Sequence, residues 1–72
     1  MEELSVESIT RTLVQRLQQA RQARGLTQQE VFDATGIHIG RLEAKPANMT
    51  LRTLVVLCRY YGISLASLFT AI

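Results

Sequence analysis

The sequence is poor in the residues that cross-link a chain, bind metal ions or span a membrane. Its 72 residues include one cysteine, Cys58, and one histidine, His38. A lone cysteine has no partner for an internal disulfide, and one histidine with one cysteine does not supply the ligands of a zinc site. The longest apolar run, Leu54 to Cys58, stops at Arg59 and is far shorter than a bilayer requires. We therefore expect no disulfide, no metal site and no membrane partner.

Signatures of secretion and catalysis are also missing. The first residues, MEELSVESIT, have neither the basic start nor the apolar centre of a signal peptide, which predicts a cytoplasmic protein. There is no histidine, acid and nucleophile set, no glycine-rich phosphate loop and no cluster of metal ligands. The sequence thus predicts a protein that is not an enzyme, with no cofactor and no small-molecule ligand.

Length, hydropathy and charge limit the remaining possibilities. Seventy-two residues predict one small domain spanning residues 1–72. A hydrophobic content of 47% is high for a small protein without disulfides or metals, which suggests that some apolar surface meets another subunit. Three of the six acids lie within residues 2–7, so residues 8–72 carry eight basic and three acidic residues, a net charge of +5. This asymmetry is compatible with an anionic partner without proving one.

Apolar spacing and capping residues predict two helices in the first half of the chain. Apolar residues recur at steps of three and four, which predicts a first helix with one apolar stripe from about Ser5 to Arg24. Gly25 is the residue that stops this helix. Thr27 and Glu30 have the spacing of a capping box, so a short second helix begins there. The apolar stripe of the first helix consists of Val6, Ile9, Leu13, Leu17 and Ala20.

Three further helices are predicted in the second half. Thr35 is the predicted N-cap of a third helix that places Ile39 and Leu42 on its inner face and stops near Lys45-Pro46. A fourth helix runs from Leu51 to Gly62, and Ser64 caps a short fifth helix carrying Leu65, Leu68 and Phe69. No credible pair of strands is present, so the predicted fold is all-α.

Several linked stretches resemble the helix-turn-helix domains of phage repressor and Cro type (XRE-like). They are Arg21 ahead of Gly25-Leu26-Thr27-Gln28, the segment IGRLE, and the segment TLRTLVVLCRYYGISLASLF, and the likeness covers roughly Leu13 to Phe69. The resemblance implies a compact five-helix bundle of lambda-repressor-like type, in which helices two and three form the helix-turn-helix. It also implies that helix three enters the major groove of double-stranded DNA and that two copies bind a palindromic site.

The sequence departs from this family between Thr27 and Glu43, where it is three residues shorter. In one placement Thr35 caps helix three and the inter-helix turn is shortened. In the other, Gly36-Ile37 is the inter-helix turn and helix three itself loses nearly a turn. The first placement is preferred, because it keeps a hydroxyl cap four residues before the buried Ile39.

The candidate DNA contacts follow from this arrangement. The free N–H groups at a capped helix N-terminus can bind phosphate oxygens. Arg41 lies opposite Ile39 and Leu42 on helix three and is the first choice for contact with DNA. Direct base readout would rest chiefly on Arg41 and His38. His38 is either a second polar reader or a solvated bystander, and specificity could also come from DNA shape. The predicted DNA-binding residues are Gln28, Thr35, Gly36, Ile37, His38, Arg41, Lys45 and Arg52.

Other residues are assigned to the scaffold and to assembly. Arg21 and Glu43 fall at positions that pair inside the family's domain and are predicted to form a structural ion pair. Val56 and Tyr60 lie four residues apart on a second apolar face of helix four. With Phe69 and Ile72 they form the predicted dimer interface. The remaining arginines are compatible with solvated faces of helices one and four, and this interpretation is preferred for most of them: Arg11, Arg16, Arg24 and Arg59.

Two functions are compatible with these patterns. The favoured one is a sequence-specific transcriptional regulator that acts as a homodimer and blocks or recruits polymerase by occupying its site. The alternative is a protein-interaction module, antitoxin-like or bridging, that keeps the fold but reads bases weakly. The shortened segment and Ile37 favour the alternative. Gln28, Arg41, Lys45 and the basic balance favour the regulator.

Overall fold

Five α-helices build the part of the chain that the computed structural model describes, residues 5–72. They are α1 Val6–Ala23, α2 Gln28–Thr35, α3 Ile39–Ala44, α4 Leu51–Tyr61 and α5 Leu65–Leu68, with a 3₁₀ helix at Pro46–Asn48. Within residues 5–72 there is no strand. The structure confirms the all-α, five-helix prediction. Glu2 and Glu3, which contribute to the predicted charge asymmetry, lie outside the described residues.

Local hydrogen bonds explain where α1 and α2 begin and end. Ser5 caps α1 by accepting from the Ser8 N–H, and Thr27 and Glu30 form the predicted capping box at the start of α2. At the end of α1, the Gly25 and Leu26 N–H groups donate back to the carbonyls of the last turn. The predicted bounds of the first helix are therefore confirmed.

The helices enclose one apolar core, which positions α3. The long α1 packs against the 3₁₀ helix, α3, α4 and α5, while α2 packs against α3 and α4. From α3, Ile39 and Leu42 point inward and are almost fully buried. The buried core residues are Leu13, Val14, Leu17, Val31, Ile39, Leu42, Leu54, Leu57, Cys58, Tyr61 and Leu68.

Two apolar residues are largely exposed: Val6, which belongs to the predicted stripe of the first helix, and Leu51 at the start of α4. Val6 is 82% exposed and Leu51 is 73% exposed. Both lie at the first residue of a helix, and Val6 lines an open groove beside Pro46 and Met49 rather than a packed contact. The apolar stripe of the first helix therefore overestimates the core at Val6, because no helix among the described residues covers this end of α1.

Arg16 is an exception among the arginines that the sequence mostly assigns to solvated faces. Its Nη1 donates to the backbone carbonyls of Leu68, at 2.7 Å, and Thr70, at 2.6 Å. The last carbonyls of a helix lack partners within the helix, so a cation at this position satisfies them and complements the helix dipole. Arg16 thus fastens the C-terminal end of α5 to α1.

Candidate nucleic-acid interface

The turn between α2 and α3 differs from the preferred sequence-based placement. Thr35 is the last residue of α2, and its hydroxyl donates to the Val31 carbonyl and accepts from the Ile37 N–H. Gly36 follows with φ 76°, a left-handed conformation that glycine adopts without the steric cost of a side chain. The prediction that Thr35 caps helix three is therefore wrong, because its hydroxyl is already used to end α2.

Helix α3 begins at Ile39 and contains only six residues. The structure therefore matches the alternative placement, in which Gly36-Ile37 belongs to the turn and the third helix is short. The residue before the helix is His38, and within residues 5–72 its side chain makes no capping hydrogen bond to α3. Ile37 is half-buried and packs against the core.

His38, just before α3, and Arg41, within α3, lie on the outer side of this segment. Both are exposed, whereas Ile39 and Leu42 of the same segment are buried. The His38 and Arg41 side chains are neighbours, since both line the same two surface hollows. Two open hollows border them, one lined by Gln28 and Gln29 of α2 and the other reaching the side of α4. The two side chains form a ridge between these hollows.

A hydrogen-bonded cluster fixes α3 against α1 and α2. The Arg21 guanidinium donates to both Glu43 oxygens, Nε to Oε2 at 2.9 Å and Nη2 to Oε1 at 3.2 Å. Gln28 donates to the same Oε1 at 2.9 Å, and Arg21 also donates to the Leu26 carbonyl. The structure thus brings together Arg21 and Glu43, which the sequence predicts to pair, and adds Gln28 to them.

The close approach of α2 to α3 depends on Gly40. A Cβ atom at this position would lie 3.1 Å from the Gln28 side-chain oxygen, which is tighter than ordinary van der Waals contact. Glycine inside a helix costs about 1 kcal/mol relative to alanine. The absence of a side chain lets the Gln28 amide pass over α3 to reach Glu43.

The remaining basic candidates flank α3. Lys45 follows the last residue of α3 and is exposed. Arg52 is the second residue of α4, also exposed, and Thr50 caps that helix by accepting from the Thr53 N–H. The exposed surface around α3 therefore includes the N-terminal turns of α2 and α4 and three cationic side chains, Arg41, Lys45 and Arg52.

Comparison with known protein families identifies this arrangement. A family model described as helix-turn-helix matches residues 17–68, more than two thirds of the chain. The chain belongs to this helix-turn-helix family. The match confirms the resemblance to the phage repressor and Cro type. No match was found among curated proteins or among solved structures.

Family membership makes the chain a helix-turn-helix domain of a DNA-binding regulator, and this family is not an enzyme family. The helix-turn-helix of the family corresponds to α2 and α3, both of which lie inside the matched residues. Between residues 5 and 72, no helix is long and apolar enough to cross a membrane. In the same range, no three potential metal ligands come together.

The sequence does not reveal the roles of three residues of this helix-turn-helix domain. Phe32 stacks on His38 with ring centroids 4.5 Å apart and an interplanar angle of 30°. Gly40 permits the Gln28 contact, and Arg16 binds the end of α5. An isolated glycine inside a short helix was the one visible signal, since such a residue often marks close packing. The contacts of Phe32 and Arg16 depend on tertiary structure.

The residues selected for a dimer interface are partly exposed. Tyr60, Phe69 and Ile72 are between 37% and 43% exposed, and Val56 is half-buried. Leu65, which the helical pattern did not select for this surface, is 41% exposed. Apolar side chains therefore reach the surface of both C-terminal helices of this helix-turn-helix domain.

Two core residues have altered acidity. Burial raises the pKa of the Tyr61 hydroxyl to about 12, and the nearby Arg21 guanidinium opposes this shift. Burial also raises the pKa of the Cys58 thiol. Because the thiolate is the reactive form of cysteine, a buried thiol with a raised pKa is unreactive. Both residues are best described as parts of the core.

Proposed function

We propose that this chain is a sequence-specific transcriptional regulator that binds double-stranded DNA as a homodimer on a palindromic site. The observation that carries the proposal is the α3 segment, which buries Ile39 and Leu42 and presents His38 and Arg41 outward. A helix with this orientation places polar side chains against base edges in a major groove. It would work in the cytoplasm by occupying its site.

The proposed contacts divide into phosphate and base contacts. The first N–H groups of α2 have no acceptor within their own helix, so the Gln28 backbone offers a phosphate donor even though its side chain holds Glu43. Lys45 and Arg52 supply cations on either side of the loop between α3 and α4. Base reading is assigned to Arg41, which can donate two hydrogen bonds to guanine, and to His38.

The turn residues have a more limited proposed role. Thr35, Gly36 and Ile37 place backbone close to the groove, and within residues 5–72 the Thr35 hydroxyl is occupied on both sides. We therefore assign these three residues to shaping the surface and assign the discrimination between bases to the ridge that follows them.

Replacing Arg41 tests the proposal. Arg41→Ala is expected to weaken binding to a selected duplex about tenfold or more, because a bidentate contact to guanine is lost. The exposed side chain carries little of the core, so the far-UV circular dichroism and the unfolding midpoint should stay unchanged. Fluorescence anisotropy at matched salt measures the affinity.

Arg59→Ala is the matched control, since it removes the same charge from an exposed position at the end of α4. It should lower affinity much less than Arg41→Ala. If Arg41→Ala and Arg59→Ala lose the same affinity relative to the wild type, the loss reflects total charge. The placement of α3 in the groove is then wrong.

A protein-interaction module remains the second candidate, because the short α3 and the exposed apolar residues of α4 and α5 favour it. Selection from random-sequence duplexes separates the two functions. Enrichment of one palindrome supports the regulator. No enrichment, together with affinity that depends only on salt concentration, supports the interaction module.

A further inference from the structure

An aromatic stack joins the two halves of the helix-turn-helix. Phe32, near the end of α2, lies against His38, which immediately precedes α3, with the rings 4.5 Å apart and 30° from parallel. Phe32 is half-buried, whereas His38 is exposed. The half-buried Phe32 ring thus supports the exposed His38 ring across the intervening turn.

The stack leaves the polar atoms of His38 available. A phenyl ring contacts the face of the imidazole and does not use its nitrogens. Within residues 5–72, the His38 side chain also makes no capping hydrogen bond to α3. A side chain held in one orientation loses less entropy when it binds, so the imidazole is preorganised for a hydrogen-bonding partner.

The position of His38 indicates what that partner is. His38 lies three residues before Arg41, and both border the same two hollows. Two donors at this spacing on a groove-facing segment can reach neighbouring base pairs. Arginine pairs with the N7 and O6 atoms of guanine, and an imidazole N–H can donate to a purine N7.

We propose that His38 is a specificity-determining residue and Phe32 its positioning residue, so that the stacked imidazole donates to the N7 of one purine in each half-site, next to the base pair read by Arg41. This assignment rests on the proposed DNA-binding function. It predicts a purine preference at a position that Arg41 does not determine.

Substitution of single atoms in the DNA tests the contact. In a selected palindrome, each half-site purine is replaced in turn by its 7-deaza analogue, which keeps base pairing but removes the N7 acceptor. At one position we expect the wild type to lose about fivefold or more in affinity, as for a single base contact. His38→Ala should bind the natural duplex more weakly and should lose nothing further at that position.

Phe32 variants test the positioning role. In Phe32→Leu, the loss of affinity caused by a 7-deaza purine at the base read by His38 should be severalfold smaller than in the wild type. The loss at the base read by Arg41 should be unchanged. The affinity for random-sequence DNA should change little. Phe32→Tyr keeps the ring and should restore the wild-type pattern. A merely structural role for Phe32 would weaken both positions equally.

Proton NMR of the free protein detects the Phe32–His38 stack directly. The chain has one histidine, so its imidazole signals belong to His38. Ring currents from Phe32 should shift them upfield in the wild type and in Phe32→Tyr. They should move to unshifted positions in Phe32→Leu, whose other dispersed signals establish that the variant is folded.

The outcomes separate this inference from the proposed function. If Arg41→Ala abolishes selective binding while His38→Ala and Phe32→Leu keep the wild-type response to every 7-deaza purine, the inference is overturned and the proposed function stands. If the wild type selects no sequence at all, both are overturned.

Discussion

The Glu43 carboxylate joins three helices through hydrogen bonds from Arg21 of α1 and Gln28 of α2. The side chains of Arg21 and Glu43 are only 11% and 10% exposed. Removing one member of a largely buried pair leaves the other charge without its partner, and the cost of this is higher than the net value of the intact pair.

Glu43→Ala should therefore lower the free energy of unfolding by roughly 3 kcal/mol. Arg21→Ala should be similarly destabilising, since it strands the carboxylate. Urea unfolding monitored by circular dichroism gives both values. Glu7→Ala, which removes an exposed carboxylate from the first turn of α1, is the control and should cost less than about 1 kcal/mol. Equal midpoints for all four proteins would refute the structural role of the pair.

Because of Tyr61, the free energy of unfolding is expected to depend on pH in the alkaline range. Its pKa is about 12 in the folded protein, whereas a solvated tyrosine has a pKa near 10. Below pH 10 both states keep the proton and the stability does not change. Between pH 10 and about 12 the unfolded state loses its proton first, so stability should fall by up to about 1.4 kcal/mol per pH unit.

Tyr61→Phe isolates this effect, because Tyr60 and Cys58 remain in both proteins. Urea titrations at pH 9, 10 and 11 should show a smaller loss of stability for the variant than for the wild type. Parallel curves would mean that the Tyr61 hydroxyl does not titrate differently in the two states.

At the scale of single elements, the short α3 limits how much DNA it can read. Six residues at 1.5 Å per residue span roughly 9 Å, the length of about three base pairs. With one face buried, the segment presents His38 and Arg41 outward. We therefore expect that the protein specifies the identity of only a few base pairs in each half-site. DNA shape would supply part of any further specificity.

The contact between α2 and α3 predicts that Gly40 and Gln28 are energetically coupled. Gly40→Ala improves helix propensity by about 1 kcal/mol, but the new Cβ must displace the Gln28 amide and weaken its bond to Glu43, worth a similar amount. The substitution should be nearly neutral in the wild type and should stabilise a Gln28→Ala protein by about 1 kcal/mol.

Gln29→Ala provides the matched background, because Gln29 bonds Asp33 within its own helix and does not approach Gly40. There Gly40→Ala should remain nearly neutral. Urea unfolding of the six proteins measures the cycle. An identical effect of Gly40→Ala in all three backgrounds would show that the Gln28 side chain does not occupy this position.

For the whole molecule, the proposed homodimer buries apolar residues that the chain alone leaves exposed. Val56→Lys combined with Tyr60→Lys should give a monomer that binds the palindrome poorly and a single half-site almost normally, because two linked half-sites lie roughly 34 Å apart and need both recognition segments. Sedimentation velocity measures the assembly state, and anisotropy measures the two affinities.

Val6→Lys is the control for placing a charge at an exposed apolar position. Val6 is 82% exposed and lies at the start of α1, not on the C-terminal helices that form the proposed interface. It should leave the assembly state unchanged. A wild type that is monomeric at high micromolar concentration, or a double mutant that still dimerises, would exclude this interface.

The sequence alone determined the number of helices, the capped starts of α2 and α5, the glycine-terminated ends of α1 and α4, and the family. These features depend on neighbours in the chain: the Thr27 and Glu30 box and the apolar stripe of α1 need no distant partner. It also indicated that Ile39 and Leu42 face inward, since helical spacing fixes which side chains share a face.

Tertiary structure decided the features that require residues distant in sequence. The local pattern allowed Thr35 either to end one helix or to begin the next, and the length of α3 changed with that choice. The docking of Arg16 on the end of α5 links residues more than fifty positions apart. The Phe32–His38 stack and the passage of Gln28 over Gly40 likewise depend on how α2 and α3 pack, because only the folded core sets the distances between side chains on different helices.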